Sequence, residues 1–398
     1  MKYDFTSKMN RKGHDAIALD IIPVDGAQIK EGFDAIPMWV ADMNFPVLPT
    51  IQESIIKRVN EPHFGYFSLP ADYFNKIIHW QEVRNNVYGI QPENIGYENG
   101  VLGCVASAIQ AFTLPGEAIL VHSPTYIGFT GVMNNAGRKI VHSALYQDEN
   151  NIWRMDYDDM DKKCKENNIH FAIFCSPHNP TGRVWEKEEI EKAMEVYRKN
   201  DCVVISDEIW SDIILKGYKH IPTQSINEDA KQRTIAIYAP SKTFNLAGLV
   251  GSYHIIYNKT LKDRVGKASE MSHYNMANIL SVYALEGAYQ KEGEEWVNEL
   301  RETITKNVDF AYDFIQENFK GVKLSKPQGT YMLYLDFTEY CQMNNTNIDN
   351  LLKEAIAVGV IWQDGRPFIK ENTIRMNLAL PFDIVKEAFN RLKIYVIK

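Results

Sequence analysis

An α/β fold built on a mostly parallel sheet is predicted from three observations. Short apolar segments alternate with amphipathic, helix-like stretches from about residue 95 to 290. The clearest of them (Ala118–Val121, Phe171–Cys175, Cys202–Ser206 and Ile235–Tyr238) are four or five residues long, the length of strands rather than helices. Each ends in polar or turn-forming residues: Ser123-Pro124-Thr125-Tyr126, Ser176-Pro177-His178-Asn179-Pro180, Asp207-Glu208, and Ala239-Pro240-Ser241-Lys242. Ligands bind outside the carboxyl ends of the strands in such a sheet. Tyr126, Asn179, Asp207 and Lys242 are therefore expected to meet around one crevice.

Between the strands, Val101, Val105, Ala108, Ile109 and Phe112 share one helical face, and Leu114-Pro115-Gly116 ends that helix. Its start, at Gly100, Val101 and Leu102, offers unpaired amides that favour an anion. Beyond about Glu286 the pattern changes. A long charged helix is expected over Gly293–Phe319, a strand of a second sheet within Gly329–Asp336, a helix over Asp349–Val358 and a strand over Thr373–Leu378. With 398 residues, about two or three domains are expected. The division is a large domain over 48–286 and a smaller α+β domain from 1–47 and 287–398.

Composition narrows the function. The chain is 45% hydrophobic and 24% charged, ordinary for a globular protein. A net charge of -8 gives no footprint for nucleic acid or anionic lipid. No apolar run approaches the roughly 20 residues needed to cross a membrane, and the charged start has no signal-like segment. Five scattered cysteines without a CxxC pair suit a reducing cytoplasm. Ten histidines show no HExxH-type spacing, so no metal site is expected.

Each strand-end residue has an ordinary reading. An isolated Ser-Lys pair usually marks a surface lysine, yet a lysine desolvated at a strand end can form a Schiff base. Asp207 could cap a helix. A buried carboxylate there instead needs a cation, and a protonated pyridine nitrogen is one that turns a cofactor ring into an electron sink. Asn179 could shape a turn, and Tyr126 could be a rim tyrosine or a stacking face.

Together, Pro124-Thr125-Tyr126, Ser176–Gly182, Ser206-Asp207-Glu208-Ile209 and Ser241–Gly248 resemble the aminotransferase class I/II family of fold type I, which uses pyridoxal 5′-phosphate. Met38–Met43, Phe64-Gly65-Tyr66, Pro177–Trp185 and Ser241–Leu249 resemble, more narrowly, its cystathionine β-lyase-like C–S lyases. The resemblance implies Lys242 as the Schiff-base and proton-transfer lysine. It also implies that Asp207 pairs with the ring nitrogen, Tyr126 stacks on the ring and Asn179 binds near the ring oxygen. Gly100, Val101, Leu102, Ser241 and Trp210 complete the cofactor set. Arg375 would grip the substrate α-carboxylate, bonding both oxygens at once, with Asn179, Trp39 and Val40 nearby. Tyr66 would reach the phosphate in a neighbouring subunit, implying a homodimer with shared sites.

Two positions depart from the aminotransferase pattern. Val250 stands where an arginine usually meets the phosphate, and Trp210 where a tyrosine is usual; an indole donates but does not ionise as a phenol does. Both favour a lyase that releases thiol, pyruvate and ammonia from a cysteine thioether. The alternative is an aminotransferase using the same residues. A non-catalytic regulatory homologue would be expected to have lost the lysine or aspartate, and both are present.

Overall fold

The computed structural model describes residues 1–397. Its centre is a seven-stranded sheet in the order Ile95–Asn99, Gly251–Ile255, Thr234–Tyr238, Val203–Asp207, Phe171–Cys175, Ala118–Ser123 and Lys139–Ala144. Only Gly251–Ile255 runs against the rest. The inner strands read as continuous apolar runs because both faces are buried. Successive side chains alternate between those faces. Ile119, Val121, Ile173, Ile205 and Ile235 pack with the Val101–Phe112 helix. Leu120, Ala172, Phe174 and Val204 pack against Ile190, Met194 and Tyr197 of the Lys187–Lys199 helix.

The Val203–Asp207 strand starts one residue later than expected and includes Asp207, whose backbone pairs with Cys175 and Ile237. The carboxylate thus belongs to the sheet itself, not to a mobile loop after it.

The expected second sheet is present. Thr373–Asn377 lies between Met332–Asp336 and Gln363–Asp364, antiparallel to both. It shares one core with the 28-residue helix Lys291–Asn318, which buries Trp296, Leu300, Ile304, Val308 and Ile315 along one stripe. The amino-terminal segment joins this layer, because Ile36–Pro37 pairs in parallel with Val360–Ile361. No helix among the described residues is long and apolar enough to cross a membrane.

Candidate active site

The carboxyl ends of the parallel strands open onto a cavity of about 570 Å³, a size suited to a small molecule. Tyr126, Asn179, Asp207, Trp210, Ser241 and Lys242 all line it, as do Gly100, Val101 and Leu102 at the helix start. Trp39, Val40 and Arg375 reach it from the other layer. Tyr66 does not. It is fully exposed and lies in a separate shallow hollow with Phe64, Phe67 and Met276.

Lys242 follows the Thr234–Tyr238 strand on a single turn of helix, and its Nζ donates to the Ala41 carbonyl at 3.0 Å. The surrounding protein strips water from this amine, and the Arg375 charge adds to the effect. Together they bring its pKa down to about 8 against the opposing pull of Asp42 and Asp207. A lysine in that range deprotonates easily near neutral pH, as nucleophile or base.

Asp207 shows the reverse effect. Burial pushes its carboxyl up to about 7 despite a hydrogen bond from the Ile209 amide and the pull of Lys242. Asp207 thus accepts a hydrogen bond from the Ile209 amide and from no cationic side chain among the described residues.

Trp210 is buried with its ring edge-on to Tyr331, centroids 4.7 Å apart, and Lys242 Nζ lies 5.9 Å from the indole centroid. Tyr331 donates to the same Ala41 carbonyl at 3.2 Å. Trp210 therefore forms a wall beside the lysine, where a cation–π contact can contribute. Tyr126 is fixed by an edge-on contact with Phe129, and its ring fills the space a Cβ on Gly128 would need. Burial pushes its phenol upward, so it remains a neutral flat surface.

Gly100 caps the Val101–Phe112 helix at φ +83, a conformation that suits glycine. Val101 and Leu102 open this helix on the cavity wall and Gly100 gives them no side-chain cap, while the Gly103 amide bonds to Tyr274. The first two amides can therefore bind an anion. Val250 lies on the same wall, so no arginine adds charge from that position.

Arg375 sits in the middle strand of the small sheet. Its Nη1 donates to Asn179 Oδ1 at 3.2 Å, and its Nη2 to the Trp39 carbonyl at 3.1 Å and to Gln363. Register explains the Gln363 contact: it is the cross-strand partner of Arg375. All these acceptors are neutral, and Nε has no partner among the described residues. Burial brings the guanidinium down to about 10, opposed by Tyr126, Tyr331 and Tyr334. The guanidinium also lies 4.7 Å from the Phe368 ring centroid, and a buried cation with neutral neighbours and no counter-ion is a receptor for a carboxylate.

Sequence reasoning missed Gln363, the Ala41 carbonyl and the two asparagines that hold the Trp39–Met43 segment in place. Asn245 bonds both backbone groups of Met43, and Asn377 donates to the Val40 carbonyl at 2.7 Å. Asn245 and Asn377 lie in motifs read for Lys242 and Arg375; Gln363 carries no sequence signal.

Pyridoxal phosphate fits this set. The cavity supplies an amine for its aldehyde, an acid for its ring nitrogen, a flat phenol for its face and helix amides for its phosphate. The fold and these groups define a class: the fold type I enzymes that work on amino acids through this coenzyme. The chain belongs to the aminotransferase class I and II family, whose model matches residues 44–392. It is similar to cystathionine beta-lyase PatB of Bacillus subtilis (strain 168), 32% identical over 362 residues, covering 90% of this chain and 92% of that one. Among solved structures, cystalysin from Treponema denticola, which contains pyridoxal 5′-phosphate, matches with a TM-score of 0.89 and 31% identity over 99% of this chain and 98% of the other. The PLP-bound C-S lyase from Staphylococcus hominis matches with a TM-score of 0.88 and 29% identity, covering 98% of both chains.

Proposed function

We propose that the protein is a pyridoxal-phosphate-dependent C–S β-lyase that converts cystathionine or a related cysteine thioether, with water, to a thiol, pyruvate and ammonia. One observation carries this reading. An amine brought down to about 8, an acid pushed up to about 7 and an arginine lacking a counter-ion share one cavity. When bound, the coenzyme is an electron sink for the pair left at the substrate's Cα.

Arg375 and Asn179 hold the α-carboxylate and so fix the orientation of Cα. Lys242 takes the proton from Cα, and its low pKa lets it act near neutral pH. Asp207 keeps a proton on the ring nitrogen. Trp210 and Tyr331 shield the amine from water. Val250 and Trp210, in place of the arginine and tyrosine of the aminotransferase pattern, favour elimination over amino transfer, as do the names of the relatives.

The described cysteines are all buried thiols, which accords with a reducing cytosol. The exposed aromatic group around Tyr66 supports a homodimer in which that tyrosine completes the partner's phosphate site. Residues 48–286 would form the coenzyme-binding body, with 1–47 and 287–398 supplying Arg375 from a smaller domain.

The test is incubation of coenzyme-loaded protein with L-cystathionine and, separately, with an amino donor plus 2-oxoglutarate. Pyruvate and free thiol in the first are expected. New amino acid in the second without thiol in the first would overturn the lyase assignment in favour of an aminotransferase.

A further inference from the structure

Behind the turn from the Ile95–Asn99 strand into the Val101–Phe112 helix, three side chains meet that the proposed reaction does not use. Glu98 is near the end of that strand. His254 is on the neighbouring antiparallel strand, one diagonal step away, because Glu98 pairs with Ser252 and Gly96 with His254. Cys104 lies in the first turns of the helix. Their sequence spacing carries no metal motif; the sheet register and helix docking assemble the group.

The geometry is tight. His254 Nδ1 lies 2.7 Å from Glu98 Oε1, and one ligand atom from each of the three residues falls within 4.8 Å of the others. Glu98, Cys104 and His254 are 1%, 0% and 5% exposed. Gly96 makes room for the imidazole, since a Cβ there would sit 2.2 Å from the ring's Cε1. One buried polar atom of the group that a cation could meet, Glu98 Oε2, has no partner among the described residues. Such atoms are costly when nothing binds them.

We propose that Glu98, Cys104 and His254 form a binding site for a divalent cation of the zinc class. One sulfur, one imidazole nitrogen and one carboxylate oxygen suit a borderline-soft ion, whereas magnesium and calcium take oxygen ligands. Charge balances as well. Binding expels the Cys104 thiol proton to solvent, and the dication then meets one thiolate and one carboxylate, leaving a neutral buried cluster. His254 would ligate through Nδ1 and carry its proton on Nε2. The cation would join two strands to the helix whose opening residues line the cavity.

The experiment uses the coenzyme-loaded protein, stripped with chelator, incubated with zinc or cobalt alone and freed of excess metal by gel filtration. About one equivalent of zinc per chain is expected, and cobalt is expected to show the intense visible bands of a tetrahedral thiolate site. Cys104→Ala and Cys104→Ser should each abolish the cobalt bands while retaining the coenzyme's own absorbance, which reports that they fold. Glu98→Gln should weaken zinc binding by about 10-fold or more, and Cys341→Ala, at a distant buried thiol, should leave it unchanged. Zinc below a tenth of an equivalent in the unmutated protein, or cobalt bands that survive both Cys104 substitutions, would overturn the site.

Discussion

Arg183 and Arg375 are buried to nearly the same depth, 3% and 4% exposed, in surroundings that differ in kind. Arg183 lies outside the crevice lining, where Glu186, Glu189, Gln328 and the carbonyls of Trp153 and Val184 accept from its nitrogens. Arg375, at the crevice wall, meets neutral acceptors only. The adjacent carboxylates Asp207 and Glu208 repeat the contrast. Burial works to raise Glu208, but His220, Tyr238 and the Thr223 amide overcome it and hold its pKa low. Asp207 has the Ile209 amide and stays near 7. The framework satisfies its charges internally; the crevice leaves its own for ligands. Saturation, not burial, separates structural from functional ionisable groups here.

The largest effect on this contrast is expected at Lys242. Lys242→Ala should lower thiol release about 10³–10⁴-fold, with no fall in the melting temperature of the coenzyme-free protein. A parallel loss of stability would mean the lysine belongs to the framework. Next comes Arg183→Met, which removes one of Glu189's two arginine partners, leaving Arg154, and takes the guanidinium donor from the Trp153 and Val184 carbonyls. It should cost about 1–3 kcal/mol in denaturant unfolding while KM in the remaining folded protein stays unchanged.

The pH dependence of the coenzyme-free protein follows from the two shifted groups. Asp207's folded pKa lies above its ordinary 3.8, so the folded state holds the extra proton and stability falls as pH rises from about 4 to 7. Lys242's lies below its ordinary 10.5, so its contribution recovers only as pH rises from about 8 to 10.5. These two groups together place a trough at pH 7–8. At ~1.4 kcal/mol per pH unit the Asp207 part is at most ~4 kcal/mol. Asp207→Asn should remove the acid limb. The coenzyme should raise the melting temperature more at pH 7.5 than at pH 5; an equal rise at both would break the link between Asp207 and the coenzyme.

Arg375→Met should be the mildest in stability and selective in function. Coenzyme-free stability is expected to hold or rise, while kcat/KM falls about 10²-fold, roughly the worth of two charge-assisted hydrogen bonds. Arg375→Lys should recover only part of this, because an ammonium lacks the planar fork.

Most of this arrangement was legible from strand chemistry. Phe171–Cys175 and Thr234–Tyr238 are buried on both faces, so they read as apolar runs, and the residues that follow them converge by topology. Lys139–Ala144 was not legible: it is an edge strand whose Lys139 and Ala144 are exposed, so it lacks that signature. Gly251–Ile255 carries serine and histidine because it answers Glu98 and Gly96 across the ladder, a constraint visible only in register. The same reason hid Gln363 opposite Arg375 and the Glu98–Cys104–His254 group. Tyr66 lies outside this chain's crevice, where its expected role requires a second subunit.

The most direct measurement is borohydride reduction of the coenzyme-loaded protein, followed by peptide mapping. The account predicts a stable pyridoxyl adduct on Lys242 and loss of the coenzyme's visible absorbance. Protein that stays colourless after coenzyme addition, or an adduct confined to another lysine, would contradict it.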